Sequence, residues 1–308
     1  MLVLRAFKAT ATHFLSELRR HRAQARREAQ RRRVAAILAR EDSPDCSAAE
    51  AAFDLLQAKY SGVPEYGYDP YSTWQRGVER AETLLTLVDL LKTPGARILE
   101  AGCGDAMAGY ILSTFGHEVT LTDLEDWRDA RARHLAFTPA DICQGLTLKD
   151  NQFDVSATYN SFEHFSDPKM VMAQLVRVLK PGGWLFTEFG PLYAGPWGMH
   201  AYRTLLMPFP QFLFSESFWR AKLRTLRIRD LNRQMDDLQP LNRWTVGQFR
   251  DLWKTSGCEI VSYSEGLAEP HLDIIERFPK SFQGRNLTIE DVSIQSVKVL
   301  LRKNFGMT

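Results

Sequence analysis

A five-residue turn and one carboxylate carry the chemistry easiest to read. Glu100-Ala101-Gly102-Cys103-Gly104 follows the apolar run Arg97-Ile98-Leu99 and precedes a segment of helical character, Met107 to Phe115. Gly102 permits a tight turn, and Gly104 lets the backbone approach a ligand with no Cβ in the way. The helix that follows offers free N–H groups at its start. Asp123 ends a second apolar-alternating run, His117 to Thr122, and stands 19 residues after Gly104. A carboxylate at such a strand end can take both ribose hydroxyls of an adenosine. The set implies an adenosine-bearing cofactor. A lone Gly-x-Gly serves nicotinamide dinucleotides and S-adenosylmethionine alike.

Two details separate those cofactors. Met107 occupies the place of the third glycine in the dinucleotide pattern G-x-G-x-x-G. Glu100 sits two residues before Gly102, where a pyrophosphate would be repelled and a cationic methionine moiety tolerated. S-adenosylmethionine is the better match.

The elements that must position these residues alternate. Strand-like runs at 97–100, 117–122, 153–159 and 184–189 are separated by helical spacing at 107–115 and at Met172, Leu175, Val176 and Leu179. A helix over 74–91 precedes them. A helix over 246–256 and strands at 259–263 and 294–301 follow. Strand–helix alternation predicts an α/β fold with a parallel, doubly wound sheet, whose ligands bind beyond the carboxyl ends of the strands. The 308 residues, 44% hydrophobic and 25% charged, suffice for a full core and exclude a disordered or disulfide-built chain. Cys46, Cys103, Cys143 and Cys258 are scattered, which predicts a reducing, cytoplasmic setting and no structural zinc.

Ile98 to Gly104, Asp123, Phe153-Asp154-Val155, Glu163-His164 and Leu179-Lys180-Pro181-Gly182-Gly183 together resemble the class I S-adenosylmethionine-dependent methyltransferases, of the small-molecule and glycolipid type. The resemblance covers roughly residues 95–190 and, less specifically, 243–303. It implies a Rossmann-like sheet of seven strands, mostly parallel with an antiparallel last strand. It further implies that Glu100, Gly102 and Gly104 line the methionine end of the cofactor, and that Asp123 with Leu124 holds the ribose and one adenine face. Asp141 and Ile142 would hold the adenine amine and ring, and Asn160 would face the sulfonium. Asp154 begins its strand far from the ligand and is structural.

The implied reaction is displacement at an activated methyl group, toward a small-molecule, sugar or lipid-linked acceptor, at oxygen. A hydroxyl acceptor needs a base, and His164 and His200 are the candidates. Some quinone-type relatives use a Glu-His pair such as Glu163-His164 to hold a divalent ion, but metal-free relatives carry it too, and no metal is expected. Nucleic acid is disfavoured, because Asn160-Ser161-Phe162-Glu163 departs from the Asn/Asp-Pro-Pro-aromatic turn that holds a flipped base. The alternative to an enzyme is a catalytically silent, methyltransferase-like binding or scaffold protein.

Residues 1–60 fall outside the resemblance and read as a basic helical arm, with the methyltransferase domain over 61–308. Eleven Lys/Arg against Glu17 and Glu28 give residues 1–40 a net +9, leaving −7 for the remainder of a chain whose total is +2. Leu4, Phe7, Ala11, Phe14 and Leu18 form one helical stripe. The stripe either packs on the acidic body or contacts an anionic membrane surface, making the protein membrane-peripheral. Within 190–240, the apolar run Leu205 to Phe214 reads as an acceptor lid, a membrane-touching element or a helical layer over the core.

Overall fold

Strand β1 (Arg97–Ala101) lies in the middle of the sheet because it is apolar on both faces: Ile98, Leu99 and Ala101 are all buried. The computed structural model describes residues 2–60, 63–230, 233–268 and 271–306, with side chains from Glu17 onward except those of Leu18 and Lys59. Around β1 stand β2 (Glu118–Asp123), β3 (Ala136–Pro139), β4 (Phe153–Tyr159), β5 (Leu179–Phe189), β6 (Cys258–Leu267) and β7 (Ile294–Lys303). Their order is β3-β2-β1-β4-β5-β7-β6. Strands β1 to β5 pair in parallel, and β7 runs antiparallel to both of its neighbours, β5 and β6. The doubly wound, seven-stranded architecture is therefore present. Strand order reverses between β1 and β4, which fixes where a crevice opens.

Helix ends follow local chemistry. The helix expected over 74–91 is α2 (Pro70–Leu87), started four residues earlier by Asp69, whose carboxylate accepts the N–H groups of Tyr71 and Ser72, with Pro70 at the first helical position. Helix α3 (Met107–Thr114) follows the glycine turn. Helix α4 (Pro168–Val178) repeats the Asp-Pro start through Asp167, and α5 (Val246–Thr255) has a capping box between Thr245 and Gln248. Asp154 accepts the Arg97 N–H at 2.9 Å and pairs with Lys180 at 2.7 Å, tying the amino ends of β1, β4 and β5.

A second core forms away from the sheet. Leu205, Met207, Phe209, Phe212, Leu213 and Phe214 are buried together with Val34, Leu38, Phe53, Leu56, Leu272, Ile275 and Phe282. The insert is thus a packed layer, and its apolar side chains are not available to a membrane. Burying them against 34–56 and 272–292 removes from water the surface that a bilayer would need.

Among the described residues, helix α1 (Leu2–Leu38) joins that layer at its carboxyl end. Val34 is fully buried and Leu38 nearly so. Arg33 pairs with Glu276 at 2.6 Å, Gln30 donates to the same carboxylate at 3.0 Å, and Arg31 donates to Ser293 Oγ at 3.3 Å. From Arg19 to Glu28 every residue is exposed. The stripe Leu4, Phe7, Ala11, Phe14 and Leu18 lies outside the side chains described. No helix among the described residues is long and apolar enough to cross a membrane.

Candidate active site

Ala101, the last residue of β1, is in register with Thr122 of β2. The N–H groups of Gly102 and Cys103 both donate to the Thr122 carbonyl, at 2.8 and 3.1 Å, so the turn hangs on the neighbouring strand. The turn passes through Gly102 at φ +63° and Gly104 at φ +52°, which L side chains rarely adopt. A Cβ on Gly102 would lie 2.5 Å from Ser161 Oγ, whereas one on Gly104 would meet nothing within 4 Å. Gly102 is required by packing. Gly104 borders open space, as a backbone cradle for a ligand must.

Asp123 is half-buried at the end of β2. Its Oδ2 accepts the Gly104 N–H at 2.8 Å and its Oδ1 accepts the Leu124 N–H at 2.7 Å. Burial raises its carboxyl above the ordinary range, and those two donors oppose the rise. Each oxygen keeps acceptor capacity for a further donor. Leu124 is 68% exposed beside it.

Glu100, expected at the methionine end of the cofactor, stands next to the glycine turn at the end of β1. It is buried, and its Oε2 accepts the Gly109 N–H of α3 at 2.7 Å. A Cβ on Gly109 would come within 2.5 Å of that oxygen. Burial pushes the Glu100 carboxyl up to about 8, against the pull of Arg80. This carboxyl clamps the helix beneath the turn.

Asp141 and Ile142 follow β3. The exposed Asp141 carboxylate accepts the Cys143 N–H at 2.9 Å, and Ile142 is buried in the main core. Asn160 follows β4 at φ +49°, half-buried, with its N–H donated to the Glu188 carbonyl at 2.8 Å. These residues all stand at the carboxyl edge of the sheet.

Beyond β4 and β5 lies a compact acid–imidazole cluster. Glu163 is buried; its Oε1 accepts the Gly190 N–H at 3.1 Å and its Oε2 has no hydrogen-bond partner. Burial raises its carboxyl. His164 Nδ1 donates to the Pro240 carbonyl and His200 Nε2 to the Pro191 carbonyl, each at 2.8 Å. The two rings meet edge to face with centroids 4.9 Å apart. One ligand-capable atom from each of Glu163, His164 and His200 lies within 4.8 Å of the others. Burial, then the adjacent His164, pushes His200 down to about 3, so its ring is neutral.

The site has a rim that the sequence reading left out. Arg76 bonds Asp105 at 3.0 Å and lies 4.2 Å over the Tyr66 ring, and Arg80 lies 4.9 Å over the Tyr159 ring. Arg203 of the insert pairs with buried Asp230 at 2.7 Å and donates to the Tyr66 carbonyl at 2.7 Å. Arg76 and Arg80 are four apart on α2 and share one helical face, the signal that could have marked them.

Residues 99–187 match the methyltransferase domain family. Glycine/sarcosine/dimethylglycine N-methyltransferase from Actinopolyspora halophila is 36% identical over 107 residues, covering 31% of this chain and 19% of that protein. Ubiquinone biosynthesis O-methyltransferase from Thiobacillus denitrificans is 30% identical over 139 residues, covering 42% of this chain and 60% of that protein. The chain thus spans less than two thirds of either relative. A solved S-adenosylmethionine dependent methyltransferase from Mesorhizobium loti is 20% identical, with 72% of this chain and 96% of that chain covered at a TM-score of 0.46. The glycine turn, Asp123 and Glu163-His164 all lie inside the segment that matches the methyltransferase domain family.

Proposed function

We propose that this chain transfers the methyl group of S-adenosylmethionine to a hydroxyl of a small-molecule acceptor. The observation that carries the reading is the open glycine turn after β1, which touches Ser161 at the start of the segment that carries Glu163 and His164. The cofactor brings a methyl group already activated as a sulfonium. What remains for the chain is alignment and exclusion of water. Gly104 gives backbone access, and Asp123 has acceptor capacity on both oxygens for ribose hydroxyls. Asn160 stands at the end of β4, between turn and cluster. His164 spends its Nδ1–H on Pro240, which leaves a lone pair on Nε2 to accept the acceptor's proton. His200, more enclosed, positions that ring.

A small acceptor suits the rim of Tyr66, Tyr68, Tyr202 and Arg203 better than a lipid, because the apolar insert is consumed by the second core. The two relatives named above, of glycine derivatives and of ubiquinone biosynthesis, support a small acceptor. Methyl-labelled S-adenosylmethionine incubated with the chain and a metabolite extract should label the small-molecule fraction. Cofactor binding with no transfer to any fraction would move the reading to a silent scaffold. Binding of NAD in its place would overturn it.

The arm supports a second, separable property. Arg19, Arg20, Arg22, Arg26 and Arg27 are exposed together, and basic groups near an anionic bilayer contribute about 1 kcal/mol each. Co-sedimentation with anionic vesicles at low salt, lost on reversing Arg19, Arg20 and Arg22 to Glu, would support a membrane-peripheral, cytoplasmic protein. No sedimentation at low salt would remove it.

A further inference from the structure

We infer that the cleft between helices α4 and α5 binds a small organic carboxylate with an apolar body, at a site separate from the methyl-transfer cleft. It lies on the face of the sheet opposite α2 and α3. The cleft holds about 440 Å³, within the range of about 300–1,000 Å³ for small-molecule sites. Its apolar lining is Met172, Ala173, Val176 and Leu252. Asn151, two residues before β4, and Lys303, the last residue of β7, also line it. These two stand at the amino ends of the parallel strands, whereas Asp123 and Asn160 stand at the carboxyl ends.

Lys303 is the residue that points to an anion. It is only 3% exposed, and its Nζ donates to Asn151 Oδ1 at 2.9 Å and to the Leu179 carbonyl at 2.8 Å. Both acceptors are neutral. An ammonium carries three N–H groups, and among the described residues the third has no acceptor. Burial holds this ammonium below the ordinary lysine range. A buried charge answered by neutral dipoles alone is costly, and an incoming carboxylate would answer it.

The rest of the lining does not supply that carboxylate. Asp150 is the one acid in it, and Arg177 already bonds it. Lys169, exposed in the first turn of α4, adds a second ammonium with no ion pair among the described residues. Backbone carbonyls would repel an anion, but those near the cleft are occupied. Arg177 donates to the carbonyls of Leu146 and Leu148 at 2.8 and 2.9 Å, and Lys303 holds that of Leu179. The Thr255 and Ser256 hydroxyls donate to the carbonyls of Asp251 and Trp253, each at 2.7 Å. Positive charge is left in excess beside an apolar wall. Met172, Ala173 and Val176 share one helical face by three- and four-residue spacing, so a short alkyl or aryl tail can lie along α4 with its carboxylate at Lys303.

Octanoate titrated into the full chain should bind with one molecule per chain by calorimetry. It should bind at least tenfold more tightly than octan-1-ol, octylammonium or inorganic phosphate, which each lack the head or the tail. Saturating S-adenosylhomocysteine should leave its affinity unchanged. Lys303→Met removes the charge and keeps an apolar stem, and should weaken octanoate at least tenfold. Lys303 also holds Asn151 and Leu179, so a second variant leaves every charge in place. Ala173 is exposed, and Ala173→Trp should keep the fold, fill the cleft and weaken octanoate at least tenfold. In the native chain, magnetisation transfer from bound octanoate to the Met172 methyl group needs no variant at all. No octanoate binding, a comparator that binds as tightly, displacement by S-adenosylhomocysteine, no transfer to Met172, or unchanged affinity in either variant would overturn the site. None of these measurements follows methyl transfer, and their failure would leave that reading standing.

Discussion

The Asp123 carboxylate closes on the Gly104 N–H at 2.8 Å, joining the end of the second strand to the turn after the first. A single side chain thereby holds the shape of the turn and presents charge beside it. The two duties can be separated by experiment.

Asp123→Ala should weaken binding of S-adenosylhomocysteine roughly ten- to a hundredfold, the equivalent of losing a charge-assisted hydrogen bond of about 1.5–3 kcal/mol. Titration calorimetry reads it directly. An unchanged affinity would put the ribose anchor elsewhere.

Gly102→Ala faces two penalties. The backbone at φ +63° costs a non-glycine residue about 1–3 kcal/mol, and the new Cβ collides with Ser161 Oγ at 2.5 Å. Chemical denaturation of Gly102→Ala and of Gly102→Ala/Ser161→Gly should show partial recovery in the double variant, because only the collision is relieved. Full recovery would mean that the turn tolerates alanine.

Glu100 sets a pH dependence. Its folded-state pKa, raised to about 8 from an ordinary 4.5, makes the unfolded chain the weaker proton binder between those values. Its contribution to stability is therefore fully present below about pH 4.5 and is lost as pH rises toward 8. Glu100→Gln keeps an acceptor for the Gly109 N–H and cannot ionise. Its stability relative to the native chain should improve by a few kcal/mol between about pH 5 and pH 8 and level off above. A pH-independent difference would show that the carboxyl is ionised when folded.

Leu38→Ala should cost about 2–5 kcal/mol, the range for emptying a buried leucine site. A solvated, independent arm would lose less than about 0.5 kcal/mol. Urea midpoints of the two chains distinguish these outcomes.

Much of this site was legible because it is local. Gly102, Gly104 and Asp123 advertise themselves through a turn between short apolar runs, and Asp167-Pro168 and Thr245-Gln248 mark helix starts. Asp69-Pro70 carries the same signal for α2, four residues ahead of the apolar spacing that begins at Trp74. What escaped is non-local. The apolar run at 205–214 reads equally as lid, membrane element or helical layer over the core, because its partners lie at 34–56 and 272–292, with no spacing rule to connect them. His200 meets His164 across 36 positions for the same reason. The bond from the Gly109 N–H to the Glu100 carboxylate is likewise invisible to residue type and spacing.

Helix α1 gives the molecule an uneven electrical anatomy. Ten consecutive exposed residues, from Arg19 to Glu28, mean that nearly three turns have solvent on every face. Arg19 stands about 22 Å along the helix axis from buried Val34, at 1.5 Å per residue. The Debye length in physiological salt is about 8 Å. The arm's positive charge and the body's negative charge therefore act as separate poles, and the near-zero sum hides both. A polyanion should meet the arm at a rate that falls steeply with added salt, while a basic partner should meet the body with the same sensitivity.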